Sequence, residues 1–313
     1  MRALVYDRYG KLDVLELRDM PMPSAGREEV LVRVRAAALN PKDSFVRKGR
    51  FRLVSGRSFP KRVGADVAGE VVESGTSGFP PGTRVFGMLE EWTYRRGTVA
   101  EYVAIRATEI AAMPESLSFE EAAALPLVSL TALQALRDAA GLRAGDAICV
   151  HGASGGVGTA AIQIAVALGG IVTTTSSERN LELCRSLGAT EALDYALDAP
   201  YSGSRRYRVV LDAFGDLSFD RVRRALTKDG IYVTTVPSPA IVRDTLRTLV
   251  GHPRARLVVV RPRRADLDTV ADFVRRGQLR PVIDRVIPLE DAIEGIRHLE
   301  TKRARGKVVV RVP

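Results

Sequence analysis

A glycine-rich turn between residues 151 and 158 holds the most chemically informative residues of this 313-residue chain. The turn is His-Gly-Ala-Ser-Gly-Gly-Val-Gly; a short apolar run at 147–150 precedes it and a small-residue segment at 157–168 follows it. Strand, glycine turn and helix in this order direct free backbone N–H groups at a phosphate, and the helix dipole adds a favourable potential. The pattern therefore predicts a bound dinucleotide, with hydride transfer as the chemistry that such a ligand supports.

The turn departs from the full G-x-G-x-x-G fingerprint, because alanine replaces its first glycine. A glycine turn that serves only packing is the alternative interpretation. The surrounding sequence favours the dinucleotide, since a β-branched run at 171–175 and a helical run at 178–187 complete a β-α-β unit of about 30 residues. The predicted phosphate-binding residues are Ala153, Ser154, Gly155, Gly156, Val157 and Gly158.

The end of the second strand of this unit bears on the choice of coenzyme. Sites that prefer NAD place an acidic residue about 20 residues past the turn, where it holds the ribose hydroxyls. Here a run of threonine and serine ends at Ser177, and Arg179 and Asn180 follow. Hydroxyls, a guanidinium and an amide would accept the 2′-phosphate that a carboxylate repels, so we predict NADPH bound by these three residues. The alternative is that Glu178 takes the acidic role and Arg179 is only solvated.

The order of elements along the chain predicts an α/β protein of two domains. Residues 1–120 contain short apolar or alternating runs separated by turn signals, which is typical of a barrel-like β module. From 145 to 260 strands alternate with helices, which predicts a doubly wound parallel sheet. We expect residues after 262 to return to the first module, because too little chain remains there for a third domain.

Composition limits the classes of partner. The formal net charge is +10, but the arginines are scattered and lack interleaved aromatic residues, so we expect no nucleic acid as the primary partner. No run approaches 18 apolar residues, so no membrane span is expected. The two cysteines, Cys149 and Cys184, lie in predicted core elements and make a disulfide framework unexpected. A reducing, cytoplasmic location is the expectation that follows.

Short motifs in one fixed order over almost the whole chain resemble the medium-chain dehydrogenase/reductase superfamily. The motifs are ALNPKD at 38–43, VGADVAGEVV at 63–72, GTRVFG at 82–87, GTVAEYV at 97–103, AAALP at 122–126, LTALQA at 130–135, LGA at 187–189 and RGKVV at 305–309. With the glycine turn, they resemble its zinc-free branch, the quinone oxidoreductases or zeta-crystallin-like enzymes. The resemblance implies a GroES-like β-barrel catalytic domain at 1–120, completed by 262–313, and a Rossmann NADP(H)-binding domain at 121–261.

The same resemblance bears on metal binding. The zinc-dependent branch has a cysteine at the position of Asn40, a histidine near Ala65 and a second cysteine near Leu127, and only Asp66 remains here as a plausible ligand. Zinc needs three or four thiolate, imidazole or carboxylate ligands, so we predict no metal. Without a Lewis acid, oxidation of a simple alcohol loses its main electrophile. An already activated acceptor, a quinone or an α,β-unsaturated carbonyl, needs less help.

The resemblance also assigns candidate catalytic residues. Asn40 stands where the family has a residue beside the nicotinamide, and its amide could position a substrate oxygen or the carboxamide; a turn asparagine is the alternative. Asp43 could orient the loop or cap a helix. Thr131 corresponds to a threonine near the nicotinamide, or is a helix N-terminal hydroxyl. Phe45 stands where many relatives carry a tyrosine that can donate a proton. After hydride delivery we therefore expect water to protonate the product, or no protonation step if the acceptor is a quinone.

Further candidates line the predicted ligand surfaces. Trp92 and Tyr94, in a loop at 90–97, could line the substrate cleft together with Phe45, or could be surface packing. His151 abuts the glycine turn and could touch phosphate. The resemblance implies coenzyme contacts on the phosphate side and at two strand ends, from Tyr195, Ala213, Phe214 and Val236.

Together these observations predict an NADPH-dependent, zinc-independent oxidoreductase that transfers hydride to a quinone or an α,β-unsaturated carbonyl. An enoyl-thioester or alkenal double-bond reductase of a biosynthetic pathway is the first alternative, since the same fold serves both. A non-catalytic RNA-binding or crystallin-like NADPH-binding protein is the alternative from another class. We also expect a homodimer, in which a strand at 257–260 pairs across a two-fold axis.

Overall fold

The computed structural model describes residues 1–198, 200–202 and 206–313. The chain forms two compact units. The first unit comprises Met1–Leu127, Arg261–Arg275 and Pro281–Pro313, and the second comprises Val128–Val260 and Arg276–Arg280.

The strands are β1 (Arg2–Tyr6), β2 (Glu16–Asp19), β3 (Glu29–Leu39), β4 (Lys61–Arg62), β5 (Asp66–Ser74), β6 (Arg84–Met88), β7 (Tyr102–Arg106), β8 (Ile110–Ala112), β9 (Ala147–His151), β10 (Ile171–Ser176), β11 (Glu191–Asp194), β12 (Tyr207–Asp212), β13 (Leu226–Thr234), β14 (Arg254–Leu257), β15 (Ile283–Pro288) and β16 (Lys307–Arg311). The α-helices are α1 (Pro41–Arg47), α2 (Arg52–Ser55), α3 (Phe119–Ala123), α4 (Pro126–Leu133), α5 (Gly156–Ala167), α6 (Leu181–Ser186), α7 (Phe219–Val222), α8 (Pro239–Arg247), α9 (Arg264–Arg275) and α10 (Ala292–Glu300).

The first unit is built on a mainly antiparallel sheet around the long strand β3. The order of its strands is β15-β16-β3-β5-β6-β8, and β7 also pairs with β3; β2, β1 and β4 form a smaller sheet. Val30, Val32 and Val34 of β3 are fully buried in the core, as the alternating pattern predicts. β16 pairs antiparallel with β3, so the C-terminal segment returns to the N-terminal sheet.

The second unit contains a parallel sheet of six strands in the order β11-β10-β9-β12-β13-β14. This is the Rossmann order, in which the chain reverses direction beside β9 and ligands bind outside the carboxyl ends of the strands. The structure confirms the predicted doubly wound sheet. The two central strands, β9 and β12, are buried along almost their whole length, as expected for parallel strands in the middle of such a sheet.

Two strands of this sheet differ from the sequence prediction. β11 was not predicted, because its four residues, Glu-Ala-Leu-Asp, have weak strand propensity and gain their order by pairing with β10. The edge strand, predicted at 257–260, is Arg254–Leu257, since only those residues pair with β13. Among the described residues, no helix has both the length and the apolar character needed to cross a membrane.

Candidate functional site

The glycine turn joins β9 to α5 and its conformation requires two of its glycines. Gly152 has a φ of +71°, and a Cβ there would lie 2.7 Å from the Cβ of Phe214. A Cβ on Gly158 would lie 2.4 Å from the carbonyl oxygen of Gly152, so α5 approaches the turn as closely as backbone allows. These two glycines are needed by the fold itself.

Gly155 is different, because the protein leaves room beside it. A Cβ at Gly155 would meet only the Gly152 carbonyl oxygen, at 3.5 Å, and its backbone has a φ of −77° that any residue adopts. Within the described part of the chain, nothing bonds to the amides of Gly156 and Val157 in the first turn of α5. Free amides beside an open glycine form a cradle that fits a pyrophosphate.

The predicted 2′-phosphate residues gather at the end of β10. Asn180 is buried, and its Nδ2 donates to Ser154 Oγ and Ser177 Oγ, each at 3.0 Å. Its Oδ1 is buried with no hydrogen-bond partner among the described residues. Asn180 therefore holds the two hydroxyls in place, while Glu178 and Arg179 are exposed beside them.

The remaining predicted coenzyme residues lie at the carboxyl ends of neighbouring strands. Tyr195 follows β11, with its ring 59% exposed and its amide bonded to Ser176 at the end of β10. Ala213 and Phe214 follow β12, and the Phe214 ring is 47% exposed. Val236 follows β13 and its side chain contacts the position a Cβ on Gly215 would occupy. The structure thus brings these residues to one edge of the sheet, as predicted for ligand contacts.

His151 does not have a ring nitrogen free for phosphate. Its Nδ1 lies 2.6 Å from Thr175 Oγ1 and its Nε2 lies 2.7 Å from Asp216 Oδ1. Asp212 completes a possible metal-binding group with His151 and Asp216. However, the Asp212 carboxylate already accepts four hydrogen bonds, from the amides of Phe214, Gly215 and Leu217 and from Tyr232 Oη. This cluster organises the exit of β12 instead of presenting open ligands.

In the first unit, Asn40 joins β3 to α1 and lies in a buried polar network. Its Nδ2 donates to Asp66 Oδ2 at 2.9 Å and to the Ala38 carbonyl at 3.2 Å. Its Oδ1 accepts from Lys307 Nζ at 2.6 Å. Both amide donors are therefore used within the protein, so that only the second lone pair of Oδ1 remains to meet a ligand.

The centre of this network is a buried ion pair that the sequence analysis did not identify. Lys307 Nζ lies 2.8 Å from Asp66 Oδ2, and the residues are 4% and 0% exposed. Asp66 Oδ1 accepts from the Leu127 amide at 2.6 Å. The one available signal was a lysine at the start of the apolar run of β16, a position where only a paired charge is tolerated.

Asp43 takes the helix-capping role that was one of its two predicted alternatives. Its Oδ2 accepts the Asn40 amide at 2.8 Å, closing the first turn of α1. Burial raises the pKa of the Asp43 carboxyl to about 6, against the opposing effects of the Asn40 hydrogen bond and the nearby Lys42 and Lys307. This aspartate shapes the loop, and its side chain is 6% exposed at most.

The predicted cleft residues divide into two groups. Trp92 and Tyr94 lie together, with Lys42 Nζ 5.8 Å and 5.4 Å from their ring centroids. Phe45 lies on α1, and its ring contacts the Arg50 guanidinium, 4.8 Å from the centroid. Thr131 belongs to the second unit, where it is buried in α4. The sequence analysis did not identify Lys42 as a candidate site residue, because a lysine after a proline at the start of a helix is typical of a solvated position.

Comparison with known proteins places the chain in a family. Residues 26–115 match the family model described as an alcohol dehydrogenase GroES-like domain, and residues 187–310 match the one described as a zinc-binding dehydrogenase. The chain is 33% identical to a chloroplast envelope quinone oxidoreductase homolog of Arabidopsis thaliana, over 99% of the chain and 98% of that protein. The chain belongs to the medium-chain dehydrogenase/reductase superfamily.

Two further relatives of the superfamily agree with this assignment. A 2-methylene-furan-3-one reductase of Solanum lycopersicum is 35% identical, over 99% of the chain and 79% of that protein. The structure of the quinone oxidoreductase from Coxiella burnetii superimposes with a TM-score of 0.92 at 32% identity, covering 100% of this chain and 99% of that one. The protein is an oxidoreductase of the quinone oxidoreductase branch, with the predicted GroES-like and Rossmann folds. Oxidoreductases of this superfamily bind nicotinamide dinucleotides.

Zinc, which the description of one matching family model implies, does not suit the residues present. Asn40 and Leu127 bond to Asp66, but they supply an amide and a backbone N–H at the positions where the zinc-dependent branch has cysteine thiolates. The Asp66 carboxylate accepts hydrogen bonds from both of these donors and from the Lys307 ammonium. A divalent cation would have to displace a buried ammonium from its only carboxylate partner in the network.

Proposed function

We propose that the protein is an NADPH-dependent, zinc-independent oxidoreductase that transfers a hydride to a quinone or an α,β-unsaturated carbonyl. The observation that carries this proposal is the buried Asn40–Asp66–Lys307 network, which replaces a metal centre by a closed set of hydrogen bonds. Because no Lewis acid polarises the acceptor, the acceptor must be electrophilic already. Quinones and enones meet that requirement, and simple aldehydes meet it poorly.

The preference for NADPH is supported by the polar groups at the end of β10. Asn180 holds the hydroxyls of Ser154 and Ser177, and Arg179 is exposed next to them, and these are residue types that would suit a 2′-phosphate. When bound, the reduced nicotinamide supplies the hydride. The chain supplies the amides of α5 for the pyrophosphate and these side chains for the ribose phosphate.

The test of the reaction is a panel of acceptors with NADPH: 1,4-quinones, 2-alkenals, and enoyl-thioesters of coenzyme A, each followed by NADPH consumption. We expect turnover of quinones or enones that is unchanged after dialysis against a chelator, with no zinc found by elemental analysis. Tightly bound zinc, or activity on simple alcohols and aldehydes alone, would contradict the proposal. Turnover of enoyl-thioesters above all other acceptors would instead favour a biosynthetic double-bond reductase.

The coenzyme preference has its own test. Replacing Arg179 by alanine removes one charge-assisted contact, worth about 1.5–3 kcal/mol. We therefore expect the KM for NADPH to rise about tenfold to a hundredfold, while the KM for NADH stays within a factor of about two. The matched control is Arg185→Ala, an arginine in the last turn of α6. A wild-type enzyme with a lower KM for NADH than for NADPH would overturn the preference.

We also propose that the protein forms a homodimer through the edge of the second unit's sheet. β14 pairs with β13 on one side, and no described strand covers its other side. An open edge presents unpaired backbone groups to another chain, and a two-fold axis lets the same strand serve both partners. The proposal moves the pairing strand from the predicted 257–260 to Arg254–Leu257.

A further inference from the structure

Lys42 is partly buried and has no oxygen of the described residues to bond to. It is the second residue of α1, and its Nζ lies 5.4 Å from the Tyr94 ring centroid and 5.8 Å from that of Trp92. In the described ranges, no oxygen lies within hydrogen-bond distance of this nitrogen. An ammonium has three donors and strong hydration, so ring faces alone leave its hydrogen-bonding capacity unused.

Lys61 and Lys307, the two lysines of this unit whose side chains are buried among the described residues, show how the fold pairs a structural ammonium. Lys61 Nζ donates to the carbonyls of Ser55 and Thr93, at 2.6 Å and 2.7 Å. Lys307 Nζ bonds to Asp66, to Asn40 and to the Leu39 carbonyl. Each of these ammonium groups has at least two oxygen partners, whereas Lys42 has none within the described chain.

The loop that carries Trp92 and Tyr94 has a strained backbone that hydrogen bonds hold in place, and both rings lie at Lys42. Tyr94 has a φ of +60°, in the left-handed region that a tyrosine rarely adopts. The Arg62 amide donates to the Tyr94 carbonyl at 2.6 Å, and Lys61 donates to the preceding carbonyl, so the strained backbone is held from both sides. Backbone strain that is held in this way clusters at ligand sites. Tyr94 is buried, while Trp92 is 48% exposed and presents an accessible ring.

We propose that Lys42 is the group that binds the acceptor's carbonyl oxygen, with the Trp92 ring as the surface on which a planar acceptor rests. This inference rests on the proposed hydride-transfer function and names the missing electrophile of that site. Asn40 cannot take the role, because both hydrogens of its amide are used within the protein. Lys42 and Trp92 together would select planar acceptors whose carbonyl oxygen gains negative charge during the reaction.

The reaction balances without a protein acid. The hydride and its electron pair add to the β-carbon of the enone, or to a quinone, while the electrons of the double bond move onto the carbonyl oxygen. The resulting enolate or hydroquinone anion accepts a hydrogen bond from the Lys42 ammonium, which keeps its proton. Water then supplies one proton to the product, in agreement with the phenylalanine at position 45. The acceptor is reduced by two electrons and NADPH is oxidised to NADP⁺.

Trp92 is the only tryptophan of the chain, so its fluorescence reports on this position directly. The probe is 2,6-difluorophenol above its pKa, an oxyanion on a planar ring, compared with its methyl ether, which has the same ring and no charge. We expect the phenolate to bind the wild-type protein at least tenfold more tightly than the ether. In Lys42→Met this preference should disappear, and Lys42→Arg should retain part of it.

The matched control is Lys48→Met, which removes the same charge from the C-terminal end of the same helix, where Lys48 pairs with Glu300 at 2.9 Å. It should keep the wild-type preference for the phenolate. Should Lys42→Met lower the melting temperature, Lys42→Gln gives a second variant with a neutral polar end. An unchanged phenolate preference in a folded position-42 variant would overturn the inference.

Turnover separates this inference from the proposed function. With an acceptor that the wild type reduces, Lys42→Met should lower kcat by about 100-fold, which is typical of losing one oxyanion donor, and leave the Kd for NADPH unchanged by calorimetry. If the wild type reduces no quinone or enone, the proposed function fails, while the phenolate binding still tests Lys42. A kcat within about threefold of wild type would contradict the role of Lys42 alone.

Discussion

At the scale of single residues, the polar groups of the first unit divide into those that are saturated and those that are not. Asn40, Asp66 and Lys307 bond to one another and to backbone, so they fix the junction of β3 and α1. Lys42 lies two residues from Asn40 and bonds to no oxygen of the described residues. The groups that have hydrogen-bond partners within the protein position the site. We expect Lys42, which bonds to no oxygen of the described residues, to act in the chemistry.

The buried ion pair gives a stability prediction. Lys307→Met leaves Asp66 with an uncompensated buried charge, which should lower the free energy of unfolding by about 3–5 kcal/mol. Adding Asp66→Asn removes that charge, so the double variant should recover most of the loss. Urea denaturation measures both. The control is Arg297→Met, which breaks an exposed pair with Glu294 and should cost less than about 1 kcal/mol. A double variant as unstable as the single one would contradict the argument.

Glu109 predicts a dependence of stability on pH. It is 2% exposed, both oxygens of its carboxylate are buried, and Arg106 Nη1 lies 3.6 Å away. Burial raises the pKa of Glu109 from 4.5 to about 7, although Arg106 and Arg96 oppose the shift. Between these two pH values the folded state retains a proton that the unfolded state releases, so stability falls as the pH rises through this window.

Glu109→Gln removes the titrating group, and the variant should lose that fall in stability. Above pH 7 it should exceed the wild type by an amount on the order of 3 kcal/mol, the free-energy equivalent of the shift. Thermal denaturation from pH 4 to pH 9 measures the difference, with the exposed Glu115→Gln as control. Parallel stability curves for Glu109→Gln and wild type would show that this carboxyl does not titrate as described.

At the scale of elements, the turn between β9 and α5 contains two glycines that the fold needs, Gly152 and Gly158, and one, Gly155, that we expect the coenzyme to need. Gly155→Ala should leave the melting temperature unchanged, because its Cβ meets nothing closer than 3.5 Å. It should weaken NADPH binding by about tenfold to a hundredfold, the equivalent of one lost charge-assisted contact. Calorimetry measures this, with Gly78→Ala as a control that has equal room. Unaltered NADPH affinity would place the pyrophosphate elsewhere.

Gly158→Ala is the complementary case within the same element. Its Cβ would lie 2.4 Å from the Gly152 carbonyl oxygen, so α5 must move. Overpacking of this kind costs about 1–3 kcal/mol.

Elements that depend on local pattern were predictable, and those that depend on distant pairing were not. The glycine turn, β10 and the polar residues at the end of β10 follow from spacing within about 30 residues, the length of one β-α-β unit. β11 has only four residues and is ordered by its parallel neighbour. Lys307 reaches Asn40 because β16 pairs with β3, a contact between the two ends of the sequence. Tyr94 carries no local signal for its left-handed backbone, since that conformation is imposed by Arg62 and Lys61.

At the scale of the whole molecule, the open edge of the Rossmann sheet predicts how the protein assembles. Val259 follows β14 and is 53% exposed. Val259→Glu would place like charges on both sides of a two-fold axis at this edge, so we expect the apparent mass in size-exclusion chromatography to fall from two chains to one. Val72→Glu, an exposed valine of the other unit, should leave the assembly intact. A wild-type monomer at micromolar concentration would rule out this dimer.

The pairing of β16 with β3 also has a consequence for the order of events during synthesis. The strands of the second unit's sheet all lie between residues 147 and 257, so that sheet can close while translation continues. The sheet of the first unit must wait for residues 307–311, which bring both a central strand and Lys307. Until residues 307–311 leave the ribosome, Asp66 lacks its Lys307 partner and the edge of β3 that pairs with β16 stays unpaired. We expect chaperones to bind this nascent state.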